Sequence, residues 1–292
     1  MSLPEPDEFV TGGTSDIGRV REVNQDYWGE FNDSQSGRLL LMIADGMGGH
    51  AGGEVASKMA VETVAEIFAA GGDDSADLLR EALELANARV HEAAQEDPDL
   101  TGMGTTGVCL LFESGGRGCV AHVGDSRAYR LRAERFEQLT EDHSVVGALI
   151  RMGRLTQQEA KLHPQRNEIL RAIGTAEHVE VQVTRLELQA GDRYLLCSDG
   201  LSGLVGDAEI ADVLRQSDPE AAARSLVERA NREGGNDNIT VQVAAIPGDR
   251  LNDGVLASKA AGVGEQSRPP AWVWGVGIGL AGALAWLLLG GH

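Results

Sequence analysis

The sequence predicts an α+β fold in which antiparallel sheets are packed by pairs of helices. Helical patterns arrive two at a time and strand-like runs arrive in blocks, so the βαβ alternation of a doubly wound parallel sheet is missing. The 38 glycines follow no period and suit a sheet protein with many tight turns. With 292 residues, 42% of them hydrophobic and 24% charged, the chain can bury the core of one large domain or two small ones.

In order, strand-like runs come first, at Trp28 to Phe31 and Leu39 to Ala44. Ala56, Ala60, Val64 and Ile67 then repeat on one helical face, and a second helix is predicted from Ser75 to Gln95 with Leu79, Leu83, Ala86 and Val90 on one side. A block of strands follows, at Gly107 to Phe112, Gly118 to Val123, Ala128 to Leu131 and Phe136 to Leu139. Short helical segments and loops fill Val145 to Arg171. Strands return at Val179 to Leu188 and Arg193 to Cys197, two helices follow at Ala208 to Arg215 and Pro219 to Arg232, and Ile239 to Ala245 is the last strand. No internal repeat appears, and residues 9–246 show no linker-like break.

Beyond that domain, Pro247 to Pro270 is polar, small and without periodicity, as in a flexible tether. Ala271 to Leu289 carries no charge over about the length that spans a bilayer. Trp272 and Trp274 stand near one end and Trp286 near the other, as interfacial aromatics do. Gly275 and Gly279 have the spacing of a close helix contact. The expectation is one transmembrane helix over 271–289 acting as a C-terminal tail anchor. The N-terminal stretch is acidic and polar, with no basic n-region or apolar h-region, so the large domain is expected on the cytoplasmic side. A formal net charge of -20 argues against nucleic acid as a partner. Cys109, Cys119 and Cys197 have no CxxC spacing and read as reduced core thiols.

The chemistry gathers at strand ends. "LLLMIADG" ends in Asp45-Gly46, "YLLCSDG" in Asp199-Gly200 and "CVAHVGDS" in Asp125, Asp237 stands just before the last strand, and Asp26 lies in "REVNQDYW". A single aspartate at such a place is a turn or cap residue. Five of them, in a chain already at -20, repel one another if they converge, and an oxygen-liking divalent cation removes that repulsion. A glycine after the aspartate lets the backbone come close enough for a carbonyl to join as ligand. The loop after Asp45 is Gly-rich, but it lacks the GxxxxGK[ST] lysine and the βαβ setting of a dinucleotide fingerprint, so it is not read as a phosphate cradle. Arg21, five residues before Asp26, supplies a planar donor fork suited to phosphate.

The segments "REVNQD", "ADGMGGHAGGEVAS", "GTTGVCLL", "AHVGDSRAYRL", "LTEDHSVV", "HPQRNEILRAIG", "LLCSDGLS" and "NDNITVQV", in this order over about residues 9–246, resemble the metal-dependent protein phosphatases, the protein phosphatase 2C family, in their bacterial serine/threonine form. The resemblance implies a four-layer α-β-β-α sandwich of two antiparallel sheets flanked by helix pairs. It also implies two Mn2+ or Mg2+ ions holding a water that attacks phosphorus in line. On the matching positions, Asp45 would bridge the two ions, the Gly46 carbonyl would bind one, Asp199 and Asp237 would complete the other's shell, Asp26 would hold ion-bound waters, and Arg21 would bind the substrate phosphate. Residues 145–171 would be a flap beside the site. The implied function is a phosphoserine/phosphothreonine protein phosphatase tethered to the cytoplasmic face of a membrane. Its implied partners are phosphorylated proteins, among them a serine/threonine kinase and the substrates of that kinase.

Three positions depart from the family pattern. Gln25 replaces a common Glu and would still accept a hydrogen bond from a metal-bound water without adding charge; Met47 stands where animal members have a His that protonates the leaving group, and His50 nearby is not assigned that part. Gly203 stands where a second aspartate is expected, and that aspartate together with the one matching Asp125 holds a third, weaker metal in bacterial members. The expectation is a third site weakened or absent. Gln25 and Gly203 also support the alternative of a non-catalytic, membrane-anchored binding or scaffold module. A small phosphoester as substrate is a further alternative. His122 reads as a packed core residue, His143 as part of a turn, and Ser198 and Ser202 show no triad partners.

Overall fold

The computed structural model describes residues 3–49 and 52–248. Elements are numbered in chain order. β1 (Val10–Asp16), β11 (Ile239–Ala245), β10 (Arg193–Cys197), β7 (Arg127–Arg132) and β8 (Arg135–Gln138) lie in that order in one sheet. β2 (Asp26–Asp33), β3 (Arg38–Met47), β5 (Gly107–Glu113), β6 (Arg117–Val123) and β9 (Gln182–Glu187) form the other, with β4 (Gly104–Thr105) pairing the end of β3. Every pairing is antiparallel. The longer helices are α1 (Gly52–Ala70), α2 (Ser75–Glu96), α6 (Asp207–Gln216) and α7 (Pro219–Arg232); α3 (Val145–Arg151), α4 (Gln157–Ala160) and α5 (Asp199–Ser202) are short.

The continuous apolar run of β3 explains the layering. With period two, Leu39, Leu41 and Ile43 face the space between the sheets, where they meet Phe112, Tyr194 and Leu196. Leu40, Met42 and Ala44 face outward onto Ala60 and Val64 of α1 and Leu79 and Leu83 of α2. A strand covered on both faces has no need of polar alternation. On the far side, Leu195, Val241 and Val243 pack against Ile210 and Leu214 of α6 and Leu226 of α7. Phe9, Phe112 and Tyr194 stack edge to face at 5.3 Å per pair across the inter-sheet space. The expected helix pair on each side of two antiparallel sheets is therefore present. Helix starts are fixed by side-chain caps, as at Asp74, which accepts from the Ala76 and Asp77 amides, and Asp218, which accepts from the Ala221 amide.

The structure adds elements that the sequence reading passed over. β1, "VTGGTSD", has no apolar alternation, yet it is an edge strand in full register with β11. Its glycines are there because α7 and β2 come so close. A Cβ on Gly12 would stand 2.4 Å from the Glu220 Cα, and one on Gly13 would stand 2.9 Å from the Trp28 ring. α5 and β4 were also unexpected, and β9 begins at Gln182, not at Val179. Cys109, Cys119 and Cys197 are buried free thiols, raised in pKa by burial. His122 is buried and stacked on His143 at 4.6 Å; it donates from Nε2 to the Glu141 carbonyl, and burial lowers its pKa to about 4.

Among the described residues no helix is long and apolar enough to cross a membrane. His50, the linker from residue 249 onward and the apolar span 271–289 lie outside the described residues.

Candidate metal centre

Asp26 opens β2 and stands directly opposite Asp45 of β3. Like charges at such a pair destabilise a sheet unless something compensates them. The backbone around Asp45 is pinned by the neighbouring "TT" segment. Its amide donates to the Thr106 hydroxyl at 2.9 Å, and its carbonyl accepts from the Thr105 hydroxyl at 2.9 Å and from the Thr106 amide at 2.9 Å. Gly46 has no room for a side chain, since a Cβ would lie 2.0 Å from the Gly53 carbonyl oxygen and 2.6 Å from that of Gln25. The strand end is thus wedged against the first turn of α1.

Asp26 is held from the other sheet. Its Oδ2 accepts from the Thr240 hydroxyl at 2.6 Å and from the Ser198 hydroxyl at 2.8 Å. Its Oδ1 is buried without a hydrogen-bond partner. Burial pushes its pKa up to about 7; the two hydroxyl bonds oppose this, and the charges of Asp199 and Asp237 add to it. Asp45 is pushed well above the usual range by burial and then by Asp26, Asp199, Asp125 and Asp237. Asp199 begins α5 and is raised to about 6 by burial and by Asp237, against the pull of Asp45 as a hydrogen-bond partner and of Arg21 and Arg127. Asp125 is raised to about 8 by burial, with Asp199 and Asp142 adding, and its Oδ1 is also an orphan. The five expected carboxylates therefore feel one another.

Asp237 meets the expected cation. Arg21 donates from Nη2 to its Oδ2 at 2.7 Å, and the Arg21 pKa is raised by that bond first, with Asp45 and Asp199 contributing at longer range. Arg21 is about half exposed, at 49% of its side-chain surface. Asp237 is further fixed by the Asn238 amide at 2.9 Å. Asn238 is a residue the sequence reading missed. Its Oδ1 accepts from the Gln25 amide, and its Nδ2 donates to the Ile17 and Val23 carbonyls, so one side chain ties the β1–β2 loop to the site. Ser198 and Thr240 were missed in the same sense. Ser198 was weighed only as a nucleophile, and it serves as a donor to Asp26. Gln25 presents its side-chain amide to Gly53 at the start of α1, while its carbonyl accepts from Gly46 and Ser57.

Two orphaned carboxylate oxygens among buried, mutually raised aspartates are what a hard divalent cation would satisfy. Among the described residues no group of three or more His, Cys, Asp or Glu side chains is already arranged to hold a metal ion. Asp125 and Gly203 line a common cavity of about 550 Å3 with Asp199 and Asp237. Gly203 has an ordinary helical conformation (φ -70, ψ -29), but a Cβ there would stand 2.9 Å from the Asp199 carbonyl oxygen, so a side chain at this position requires that turn to shift.

Residues 13–242 match the protein phosphatase 2C family profile. The chain is 44% identical over 234 residues to the serine/threonine protein phosphatase PstP of Mycobacterium tuberculosis, covering 80% of this chain and 44% of that protein's length. It is 38% identical over 237 residues to the protein phosphatase PhpP of Streptococcus pneumoniae, covering 80% of this chain and 95% of that one. The solved catalytic domain of PstP in complex with two manganese ions superposes with a TM-score of 0.73 at 39% identity, over 82% of this chain and 99% of that one.

The carboxylates predict a pH signature of the ion-free protein. Asp199, Asp26 and Asp125, at about 6, 7 and 8, lie above the ordinary value of 3.8. Groups raised on folding stabilise when protonated, and that contribution is lost as pH climbs through the folded values. Thermal melts in a chelator should therefore show stability falling from about pH 4, where the unfolded carboxylates titrate, to about pH 8, with no further loss from these groups above that, and the gain from saturating Mn2+ should grow over the same window. A gain that is independent of pH would contradict this account of the site.

Proposed function

The chain belongs to the protein phosphatase 2C family, and from that membership we propose that residues 9–246 form a metal-dependent phosphoserine/phosphothreonine protein phosphatase. The observation that carries the reading is the pairing of Asp26 directly opposite Asp45, with the buried Oδ1 atoms of Asp26 and Asp125 left without partners and Arg21 bound to Asp237. Asp45, Asp199, Asp237 and the Gly46 carbonyl would hold two Mn2+ or Mg2+ ions, with Asp26 beside them. Bound there, such ions supply Lewis-acid neutralisation of the phosphoryl charge and acidify water for attack on phosphorus.

The chain's own groups do the rest. Arg21 has five N–H donors and uses one on Asp237, so its fork can take phosphoryl oxygens while staying tied to the site. Ser198 and Thr240 keep Oδ2 of Asp26 occupied and so leave only the buried, unpartnered Oδ1 for an ion or an ion-bound water. Thr105 and Thr106 fix the Asp45 backbone, so its carboxylate does not have to be ordered when substrate arrives.

The uncharged span 271–289, joined by 247–270, supports a tail anchor that holds the phosphatase domain at the cytoplasmic face of a membrane. A serine/threonine kinase and its substrates on the same membrane are the matching partners, since tethering raises their effective concentration.

Mn2+-dependent phosphate release from p-nitrophenyl phosphate and from a phosphothreonine peptide tests the activity. Asp45→Asn and Asp199→Asn are each expected to lower kcat by a factor on the order of 100 to 1000. Turnover by neither substrate in the unaltered chain would favour the non-catalytic scaffold, and turnover of the small ester alone would move the substrate class. Gly203→Asp is expected to add a further weak Mn2+-binding event by calorimetry beside Asp125; unchanged stoichiometry would count against a third-site role for this position. For the anchor, the full chain should sediment with membranes and a chain ending at residue 248 should stay in the supernatant. Equal partition of the two would rule the anchor out.

A further inference from the structure

Large apolar side chains are exposed in only two places among the described residues. Ile17, Val20, Val23 and Tyr27 lie on or next to the β1–β2 loop, and Met152, Leu162 and Leu170 lie on the flap. Scattered single exposures are ordinary, but these fall on the loop that bonds the turn carrying Asp237 and on the flap, whose Ile150, Lys161 and Arg166 wall the cavity that Asp237 also lines. Val20 is 63% and Leu162 86% exposed, so neither serves the core.

The β1–β2 loop is not loosely placed. The Arg19 amide donates to the Gly235 carbonyl at 2.7 Å, and Asn238 holds the Ile17 and Val23 carbonyls at 3.0 Å each. Gly18, at φ +85, lies so close to the Asp237 carbonyl that a Cβ would come within 2.2 Å. The loop spends its backbone polar groups on the turn that carries Asp237 and leaves Val20 and Val23 outward on either side of Arg21. On the other side of Asp237, the cavity of about 550 Å3 runs under the flap, with Val146, Ile150, Leu204 and Val205 among its walls. The flap base is closed by the Val145 amide on the Glu168 carbonyl and the Leu170 amide on the His143 carbonyl, at 2.9 and 2.7 Å. Gly203, where the family pattern has an aspartate, leaves this cavity wall uncharged between Asp199 and Asp207.

We propose that these two apolar rims read the substrate: the chain selects phosphoserine or phosphothreonine segments that carry large apolar residues on both sides of the phosphorylated residue. This rests on the phosphatase reading above. A phosphoryl group held by Arg21 places its own backbone beside Val20 and Val23, and an extended chain advances roughly 3.3 Å per residue. Neighbours within about three positions then fall on the loop rim in one direction and over the cavity in the other. A lipid surface is the weaker match, because a chain of net charge -20 with its carboxylates at this rim is repelled by an anionic leaflet.

The test compares kcat/KM of the full chain with Mn2+ on two phosphothreonine peptides, one with Leu or Val at the second and third positions on each side and one with Ser there. p-Nitrophenyl phosphate is the control that touches neither rim. The apolar peptide should be favoured about tenfold, mostly through KM. Val20→Ser and Leu162→Ser should each reduce that preference about threefold and leave the small ester unchanged. Equal kcat/KM for the two peptides, or a preference that survives in the double variant, overturns the proposal and leaves the phosphatase standing. Loss of binding to phosphatidylglycerol vesicles in the variants, with peptide preference intact, overturns it in favour of lipid. If nothing is turned over, the phosphatase reading fails, and peptide affinity by fluorescence anisotropy decides the rims separately: equal affinity for the two peptides overturns them as well.

Discussion

Buried aspartates of like charge, brought together where two sheets meet, are the constraint around which this molecule is arranged. Left alone they would push the strand ends apart, and the raised pKa values of Asp26, Asp45, Asp125 and Asp199 record burial first and that mutual repulsion second. The chain holds them with neutral hydrogen bonds and close backbone contacts. Thr105 and Thr106 pin Asp45, Ser198 and Thr240 pin Asp26, and the Asn238 amide pins Asp237. Neutral donors fix position without cancelling charge. A paired lysine or arginine at each aspartate would have relieved the repulsion and removed the affinity for a divalent ion.

The sandwich serves this arrangement. Asp26 belongs to one sheet, and its two hydroxyl partners belong to the end of β10 and to β11 in the other. The site therefore exists only while the inter-sheet core of Leu39, Leu41, Ile43, Phe112 and Tyr194 keeps the sheets in register. The outer helix layers add what a single sheet pair lacks, which is cover for the second face of β3 and a firm seat for the edge strand β1.

What the sequence disclosed follows from which features are local. The apolar run into Asp45, the strands of the central block and the helix pairs are carried by period and could be read directly. The five aspartates and Arg21 stood out because a charge at the end of an apolar strand is conspicuous. β1 could not be read, since Gly12 and Gly13 exist to admit Glu220 and Trp28, contacts more than 200 and about 15 residues away along the chain. Asn238, Ser198 and Thr240 were hidden for the same reason. Their side chains are unremarkable in composition and acquire meaning only from partners on distant strands. Gln25 was placed as a holder of water through the family pattern, whereas its amide lies against Gly53, so its part is at least as much to seat α1 on the strand end.

The position of Arg21 completes the logic. It is half exposed, and a cation at that depth is screened by solvent, so its single bond to Asp237 cannot neutralise the buried cluster. In the proposed function, that weakness is what would free it for substrate. A guanidinium sunk among the carboxylates would compete with divalent ions for the same oxygens, whereas one at the rim meets a phosphoryl group arriving from solvent and hands its far side to the centre. The same loop brings Val20 and Val23 to the rim, and Asn238 sets both by gripping the loop ends. One asparagine thus fixes the loop that carries Arg21, the proposed phosphate clamp, and its apolar neighbours, and through Gln25 it reaches the start of the strand bearing Asp26. The proposed phosphate clamp and the aspartates are in this way built on a common backbone frame.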